Sequence, residues 1–309
     1  MGIVNIAVIG AGYLGKFHAQ KYAALDNCQL VGLVDSNPST VEEMANLYPE
    51  AKASTDFLAL IDDVDAVSIV TSTPFHYEIA KQFLSRGKHV LLEKPMTSTT
   101  EQAEELIKIA KDQHCILQIG HIERFNPTML AMDEHMQQPK FIESQRLSPF
   151  KARGTDVNVV LDLMIHDIDI ILSIVKSDIE SIQASGMSVL SDDIDIANAR
   201  ITFTNGCVAN VTASRVSTKS ERKLRLFQGN AYFSADLEIH ELKVYTRENS
   251  EINAQSFNFE KSDALLAEIT HFLDCIANDT QPLVSGTDGL RALHTANQIA
   301  NTIQLHNAK

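Results

Sequence analysis

Ile3-Val4-Asn5-Ile6-Ala7-Val8-Ile9, running into Gly10-Ala11-Gly12-Tyr13-Leu14-Gly15, decides the fold of this chain. The first seven residues read as a strand, and the glycines stand where a strand turns into a helix. Glycine at that spacing makes a tight turn, lets the backbone approach a pyrophosphate, and opens a helix whose free N–H groups hold the anion. Asp35 ends the next strand, 20 residues past Gly15. A carboxylate there accepts from a ribose 2′-hydroxyl and repels a 2′-phosphate. The expectation is a dinucleotide site at Gly10, Gly12, Tyr13, Leu14, Gly15 and Asp35 that takes NAD in preference to NADP, with Ser36 and Asn37 softening the choice.

Outward from that turn the first third alternates strands with helices. Strands are predicted at Ile3–Ile9, Gln29–Val34, Ala66–Thr71, Lys88–Leu92 and Cys115–Ile119, with helices at Leu14–Ala24, Val41–Leu47, Phe75–Arg86 and Glu101–Lys111. Such alternation produces a parallel sheet with right-handed crossovers, a doubly wound Rossmann domain over residues 1–121. Ligands of open α/β sheets bind at the carboxyl ends of the strands. Thr71-Ser72-Thr73-Pro74, His76 and Glu93-Lys94-Pro95 all fall at that rim and join the predicted coenzyme contacts. Lys94 closes its strand and would stand beside the reacting carbon. His76 reads as a first-turn helix residue packed near the coenzyme rather than as a catalyst.

After Gly120 the pattern changes, and residues 122–309 read as a second, α+β domain. A helix over Val159–Val175, apolar on nearly every side, is followed by strands at Ile179–Ser188, Asn198–Phe203, Val208–Ser214, Lys223–Gln228, Ala231–Leu237 and Glu241–Thr246. Asn205-Gly206 and Gly229-Asn230 are hairpin turns, so this open sheet is predicted to be mainly antiparallel. Helices near Ala264–Ala277 and Thr287–Ile303 close the chain and cover one face. The other face, with the alternation Ala209, Val211, Ala213, is predicted to bury itself in a homodimer or homotetramer.

Composition narrows the classes. With 309 residues, 44% of them hydrophobic and 21% charged, the chain is of ordinary globular type and long enough for two domains. A net charge of −14 lacks the basic face that a nucleic acid requires. No apolar run has the roughly 18 residues of a membrane span, and a strand begins at once with no basic leader, which points to a cytoplasmic protein without a membrane partner. The four cysteines are far apart and read as buried free thiols. The 11 histidines show no metal-ligand spacing, so no metal is expected.

Asp162, His166 and Asp169 stand at helical steps of four and seven residues, on one face of the buried helix, while Asp167 lies off it. Carboxylates on such a helix must be paired or line a wet cleft. The combination Gly10-Ala11-Gly12-Tyr13-Leu14-Gly15, Gly87-Lys88-His89-Val90-Leu91-Leu92-Glu93-Lys94-Pro95 and the Asp162/His166/Asp169 helix resembles the Gfo/Idh/MocA family of sugar and cyclitol dehydrogenases. Gly120-His121-Ile122-Glu123-Arg124-Phe125-Asn126-Pro127 and Leu161 to Asp167 are similar to the branch of it that oxidises C3 of UDP-N-acetylglucosamine to a 3-keto sugar for lipid A biosynthesis. The resemblance implies that Lys94 contacts the reacting hydroxyl, that His166 is the general base, and that Asp162 contacts and orients the sugar. Arg124 and Asn126 would also meet the substrate, and a cis bond before Pro95 would aim the lysine. A reference pKa of about 6.5 suits a histidine base, whereas lysine starts near about 10.4 and takes the electrostatic role. The diphosphate of a nucleotide sugar needs cations: Arg146, Lys151 and Arg153, or Arg215, Lys219, Arg222, Lys223 and Arg225, would form such a clamp or stand as solvated loops or subunit contacts. The alternatives are a dehydrogenase of a free cyclitol or aldose, and a non-catalytic nucleotide-sensing protein.

Overall fold

The computed structural model describes residues 2–133, 136–150, 157–248, 251–260 and 262–307. Two compact units emerge, one built from residues up to Ile122 with Asp263–Leu290, the other from Glu123–Ser262 with the residues from Arg291 onward. In the first, β1 (Val4–Ile9), β2 (Cys28–Val34), β3 (Lys52–Ser54), β4 (Ala66–Ile69), β5 (His89–Glu93) and β6 (Leu117–Gly120) make one parallel sheet in the order β3-β2-β1-β4-β5-β6. Helices α1 (Tyr13–Ala23), α2 (Pro38–Leu47), α3 (Thr73–Leu84) and α4 (Thr100–Asp112) alternate with the strands. The strand order reverses between β1 and β4, and the crevice outside their carboxyl ends is the ligand position of such sheets. Local signals start the helices where they start. Asn37 accepts from Ser39 N ahead of Pro38, and Thr99 with Gln102 forms a reciprocal capping box on α4.

The second unit begins with α5 (Pro127–Asp133) and β7 (Phe141–Leu147). A π turn over Val160–Met164 leads into α6 (Ile165–Val175). Then come β8 (Ile179–Met187), β9 (Ile196–Phe203), β10 (Val208–Ser214), β11 (Glu221–Gln228), β12 (Ala231–Asp236), β13 (Glu241–Glu248) and β14 (Glu251–Asn258). The sheet order is β14-β13-β12-β11-β7-β10-β9-β8, and only β7 and β10 pair parallel. The sheet is therefore mixed and mostly antiparallel. β7, absent from the strands predicted above, is an interior strand. Its inward residues are Ile142, Ser144 and Arg146, so two of three are polar and no apolar alternation announces it.

α7 (Ala264–Asn278) belongs to the first unit, which corrects the expectation of an unbroken second domain over 122–309. Leu265, Ile269, Phe272 and Leu273 of α7 pack with Ala19 and Tyr22 of α1 in the core of the Rossmann unit. α8 (Gly286–Asn307) follows, with Ala292, Ala296, Ile299 and Ile303 in the core of the second unit beside α6.

That core also takes Ala209, Val211 and Ala213, all fully buried. They face the helices and are not the open face, so the predicted apolar contact surface is corrected. Neighbouring residues alternate outward: Asn210, Thr212, Asn198, Arg200, Glu143 and Lys223 line a polar cavity of about 850 Å³. The same open face carries a cross-strand aromatic row, Phe141, Phe227, Tyr232 and Tyr245, with ring centroids 5.8, 4.8 and 5.5 Å apart. Cys28, Cys207 and Cys275 are buried as expected, whereas Cys115 is half-buried. Among the described residues no helix is long and apolar enough to cross a membrane.

Candidate active site

The glycine turn meets the steric demands of a pyrophosphate cradle. Gly10 has φ +95°, and a Cβ on it would stand 2.7 Å from the Val70 carbonyl carbon. A Cβ on Gly15 would stand 1.9 Å from the Gly10 oxygen, while one on Gly12 meets no atom within 4 Å. Gly12 caps α1, where no side chain fills the cap and the first turn holds no acidic residue. The N–H groups at that end are thus directed at space an anion can enter. Thr71 Oγ1, at the next strand end, is buried with no partner among the described residues. Asp35 follows β2, and its Oδ1 accepts from Asn37 N at 2.9 Å. Tyr13 is exposed beside the turn and packs edge-on against Phe17. These residues fit a dinucleotide.

His76 ties two segments of the rim together. Its Nδ1 lies 2.9 Å from the Pro95 carbonyl and its Nε2 2.8 Å from that of Thr71. Burial holds its pKa below the ordinary value against the pull of the two carbonyls, so the ring is neutral and donates to one of them. The Lys94–Pro95 peptide is cis. His76 thereby ties the segment after Lys94 to the end of the neighbouring strand at Thr71. Ser72 caps α3 and Thr73-Pro74 begin it, in the rim segment where they were expected.

Glu93 departs further from its predicted coenzyme contact, because its carboxylate turns into the unit. One oxygen stands 3.4 Å from His18 Nε2 and the other accepts from Lys94 N at 3.3 Å. A Cβ on Gly120 would lie 2.9 Å from the Glu93 carboxyl carbon, so that close approach requires glycine. Beyond His18 runs a buried chain: His18 Nδ1 to Ser68 Oγ at 3.0 Å, and Ser68 Oγ to Tyr22 Oη at 3.0 Å. Glu268 of α7 is also fully buried, its two carboxyl oxygens without a hydrogen-bond partner among the described residues. Burial, reinforced by the charge of Glu93, pushes its pKa well above the usual carboxylate range. Glu93 moves the other way: its burial is outweighed by His18 and Lys94.

In the second unit Asn158 starts the helix that carries the predicted chemistry, its Oδ1 accepting from Val160 N and Leu161 N at 3.1 Å each. Ile165 N reaches back five residues to Val160 O, the mark of the π turn. One extra residue in a turn rotates everything downstream by about 100°. Asp162 therefore lies within the wide turn, and His166 and Asp169 follow it on α6. Asp162 and His166 are half-buried, while Asp169 is buried 3.5 Å from Arg124 Nη1.

Arg146, offered above as a diphosphate ligand, is locked inside the unit. Its Nε pairs with Asp167 at 2.6 Å and its Nη1 with Glu123 at 2.8 Å, and Ser144 Oγ donates to Asp167 at 2.5 Å. Burial of Glu123 is outweighed by Arg146 and Arg222, which hold its pKa below the ordinary value. Arg215 is likewise buried on Asp195 at 2.8 Å, and Arg225 pairs with Glu143 on the open sheet face. The described part of the clamp is not assembled; Lys151 and Arg153 lie outside the described residues. Asn126 also changes role. It is 4% exposed, caps α5 by accepting from Thr128 N at 3.0 Å, and donates to Leu237 O at 3.1 Å and Glu123 at 3.3 Å. Its amide is thus engaged within the fold.

Comparison with known proteins decides the family. The model of the GFO/IDH/MocA oxidoreductases' NAD-binding Rossmann domain matches residues 4–121, and that of their C-terminal domain matches residues 129–233. The chain belongs to the GFO/IDH/MocA oxidoreductase family. It is 39% identical to UDP-N-acetylglucosamine 3-dehydrogenase of Acidithiobacillus ferrooxidans over 97% of each chain. A crystal structure of that enzyme superposes with a TM-score of 0.94 at 38% identity, covering 99% of each chain. The scyllo-inositol 2-dehydrogenase (NAD(+)) of Bacillus subtilis is 25% identical, over 92% of this chain and 90% of its own. Levoglucosan dehydrogenase in complex with NADH shares the fold, with a TM-score of 0.88 at 19% identity.

Within this GFO/IDH/MocA chain the sequence reading missed His18, Ser68, Tyr22 and Glu268. A signal was present for three of them. His18 and Tyr22 are four residues apart on the inner stripe of α1, and Glu268 is a charge between Leu265, Ile269 and Phe272. A charged residue inside an apolar helical stripe is either paired or kept neutral.

Proposed function

We propose that this protein is a nicotinamide-dependent dehydrogenase that oxidises a secondary hydroxyl of a nucleotide-activated amino sugar, C3 of UDP-N-acetylglucosamine, to the ketone. The full-length similarity at 39% identity carries this reading, because it spans both the coenzyme unit and the substrate unit. Asp35 at the end of β2 supports NAD over NADP. Lys94 holds the reacting hydroxyl and steadies negative charge on its oxygen. His166 accepts the hydroxyl proton, Asp162 orients the sugar, and Arg124, set by Asp169, meets the substrate. A bound nicotinamide supplies the hydride acceptor, leaving the protein to position groups and handle one proton. The 3-keto product suits amination on the way to lipid A, in the cytoplasm. The enzyme works as a homodimer or homotetramer through the open sheet face, where the aromatic row rather than Ala209, Val211 and Ala213 supplies the contact. Phe227→Glu lowers the mass seen by light scattering; a monomeric wild type overturns the assembly.

The test is incubation with NAD+ and UDP-N-acetylglucosamine, myo-inositol or glucose, reading NADH by absorbance and the loss of two hydrogens by mass spectrometry. Turnover of the nucleotide sugar is expected, and Lys94→Ala or His166→Asn lowers kcat by about 10²–10⁴-fold. NADH formed with inositol or glucose but not with the nucleotide sugar overturns the substrate. Unchanged function in cells with both residues replaced would instead favour a nucleotide sensor.

A further inference from the structure

Lys94 stands on backbone that lies outside regular structure. β5 ends at Glu93 and α4 begins at Thr100, so residues 94–99 fall between a strand ladder and a helix. Backbone of this kind keeps its place through ties to its surroundings. On the near side the tie is the sheet, where Leu92 pairs with Ile119 and Glu93 with Gly120. On the far side Thr97 Oγ1 donates to Thr99 O at 2.7 Å, and Thr99 caps α4. Between those anchors the Pro95 carbonyl oxygen meets His76 Nδ1 at 2.9 Å. Pro95, Met96 and Thr97 are buried, and Lys94 is half-buried.

His76 is 1% exposed and belongs to the first turn of α3. A buried imidazole needs partners for its nitrogens, because water does not reach them. Its Nε2 lies 2.8 Å from Thr71 O, just past β4. That side is already held: Val70 N donates to Ile9 O at 2.8 Å, Phe75 N donates to Ser72 O at 3.0 Å, and Ser72 caps α3. A rigid five-membered ring thus spans the gap between a fixed rim segment and the segment that follows Lys94. The width of the ring sets their separation.

We propose that His76 is a positioning residue for Lys94: its ring holds the Pro95 carbonyl at a fixed distance from the rim at Thr71, and so sets where the lysine ammonium stands. The inference rests on the reading of Lys94 as the group that holds the reacting hydroxyl. His76 acts through the backbone and takes no proton. A reacting group displaced by about 1 Å loses about 10²-fold in rate. Contacts over the rest of the sugar and coenzyme are unchanged, so the loss falls on kcat and leaves KM in place. Side-chain length separates the two ties. Asparagine places its amide nitrogen where histidine has Nδ1, facing Pro95; glutamine places its own where histidine has Nε2, facing Thr71.

Steady-state kinetics of the full chain with NAD+ and UDP-N-acetylglucosamine, for His76→Asn, His76→Gln and His76→Ala, test the strap. His76→Asn is expected to stay within about threefold of the wild-type kcat, His76→Gln and His76→Ala to lose about 10²-fold, and KM to stay within about threefold in all of them. Hydrogen exchange of the coenzyme-free chain supplies a readout that needs no turnover: amides of residues 96–99 exchange faster in His76→Gln and His76→Ala and keep the wild-type rate in His76→Asn. A His76→Gln protein that behaves as wild type while His76→Asn fails puts the working tie at Thr71 and overturns the proposal. Equal losses in all three variants, with KM and Tm moving together with kcat, make His76 a packed core residue and overturn it too. A wild type that does not turn over the nucleotide sugar sinks the functional reading instead, and the exchange pattern still decides the tie.

Discussion

Each unit of this molecule buries a carboxylate cluster, and the two are balanced in opposite ways. In the second unit, Glu123 and Asp167 share Arg146, Arg222 reaches Glu123, and Ser144 donates to Asp167. Cations meet the charges there, and Glu123 is held below its ordinary pKa. In the Rossmann unit, Glu93 has a histidine ring and a backbone N–H, and Glu268 has no hydrogen-bonding partner among the described residues. A proton does the balancing instead. The first arrangement fixes a structure whose charge does not change near neutral pH; the second leaves a charge that can change. The difference lies in one residue type: a guanidinium is always charged, so it pins its partners, while a carboxylic acid is charged or neutral as its surroundings require.

Removing the cation puts the largest strain on this contrast. Arg146→Met leaves Glu123 and Asp167 buried with little compensation and is expected to lose about 3–5 kcal/mol in urea unfolding, the range for breaking a buried ion pair from one side. Adding Glu123→Gln and Asp167→Asn to that variant recovers most of the loss. A loss below about 1 kcal/mol for Arg146→Met alone, the size of a surface pair, would show that the cluster is not the rigid, ionised unit described here.

The two clusters were also unequally legible in the sequence. Glu93-Lys94-Pro95 and the Gly10–Gly15 turn could be placed because strand ends and glycine spacing are local features that specify a backbone path. The Asp162–His166 segment was found, but the π turn at Val160–Met164 was not, since nothing in an apolar helical run marks where a residue is inserted. β7 was missed because Ser144 and Arg146 face the core, and a strand with polar inward residues has no hydrophobic period. Their reason for pointing inward is Asp167, 23 and 21 residues away in sequence. The return of α7 to the first unit was hidden likewise: the stripe Leu265, Ile269, Phe272 gives a helix, not the identity of the core that receives it.

pH sharpens the comparison at smaller energies. Glu123 has a folded pKa below its unfolded value, so its contribution is present above the unfolded pKa of about 4.3 and is lost as pH falls through the folded one. Glu268 has a raised folded pKa, so stability falls as pH rises from about 4.3 toward that value, by up to about 1.4 kcal/mol per pH unit. Unfolding measured from acid to alkaline pH should therefore lose its acid slope in Glu123→Gln and its neutral slope in Glu268→Gln. Exchange of those two outcomes, or no change in either, would remove the distinction between a pinned cluster and a proton-holding one.

The smallest effect concerns Asn126, the neutral member of the second cluster. Its side chain caps α5 and donates to Glu123, so Asn126→Ala is expected to lose about 1 kcal/mol of stability, the value of a helix cap. Because Arg146 still holds Glu123, the cluster remains ionised and the acid slope of stability survives. KM for the nucleotide sugar should stay within a factor of about two, since a loss of binding contacts is what raises KM at constant kcat. A tenfold rise in KM with unchanged stability would return Asn126 to the substrate site and show that its amide leaves its partners when the sugar arrives.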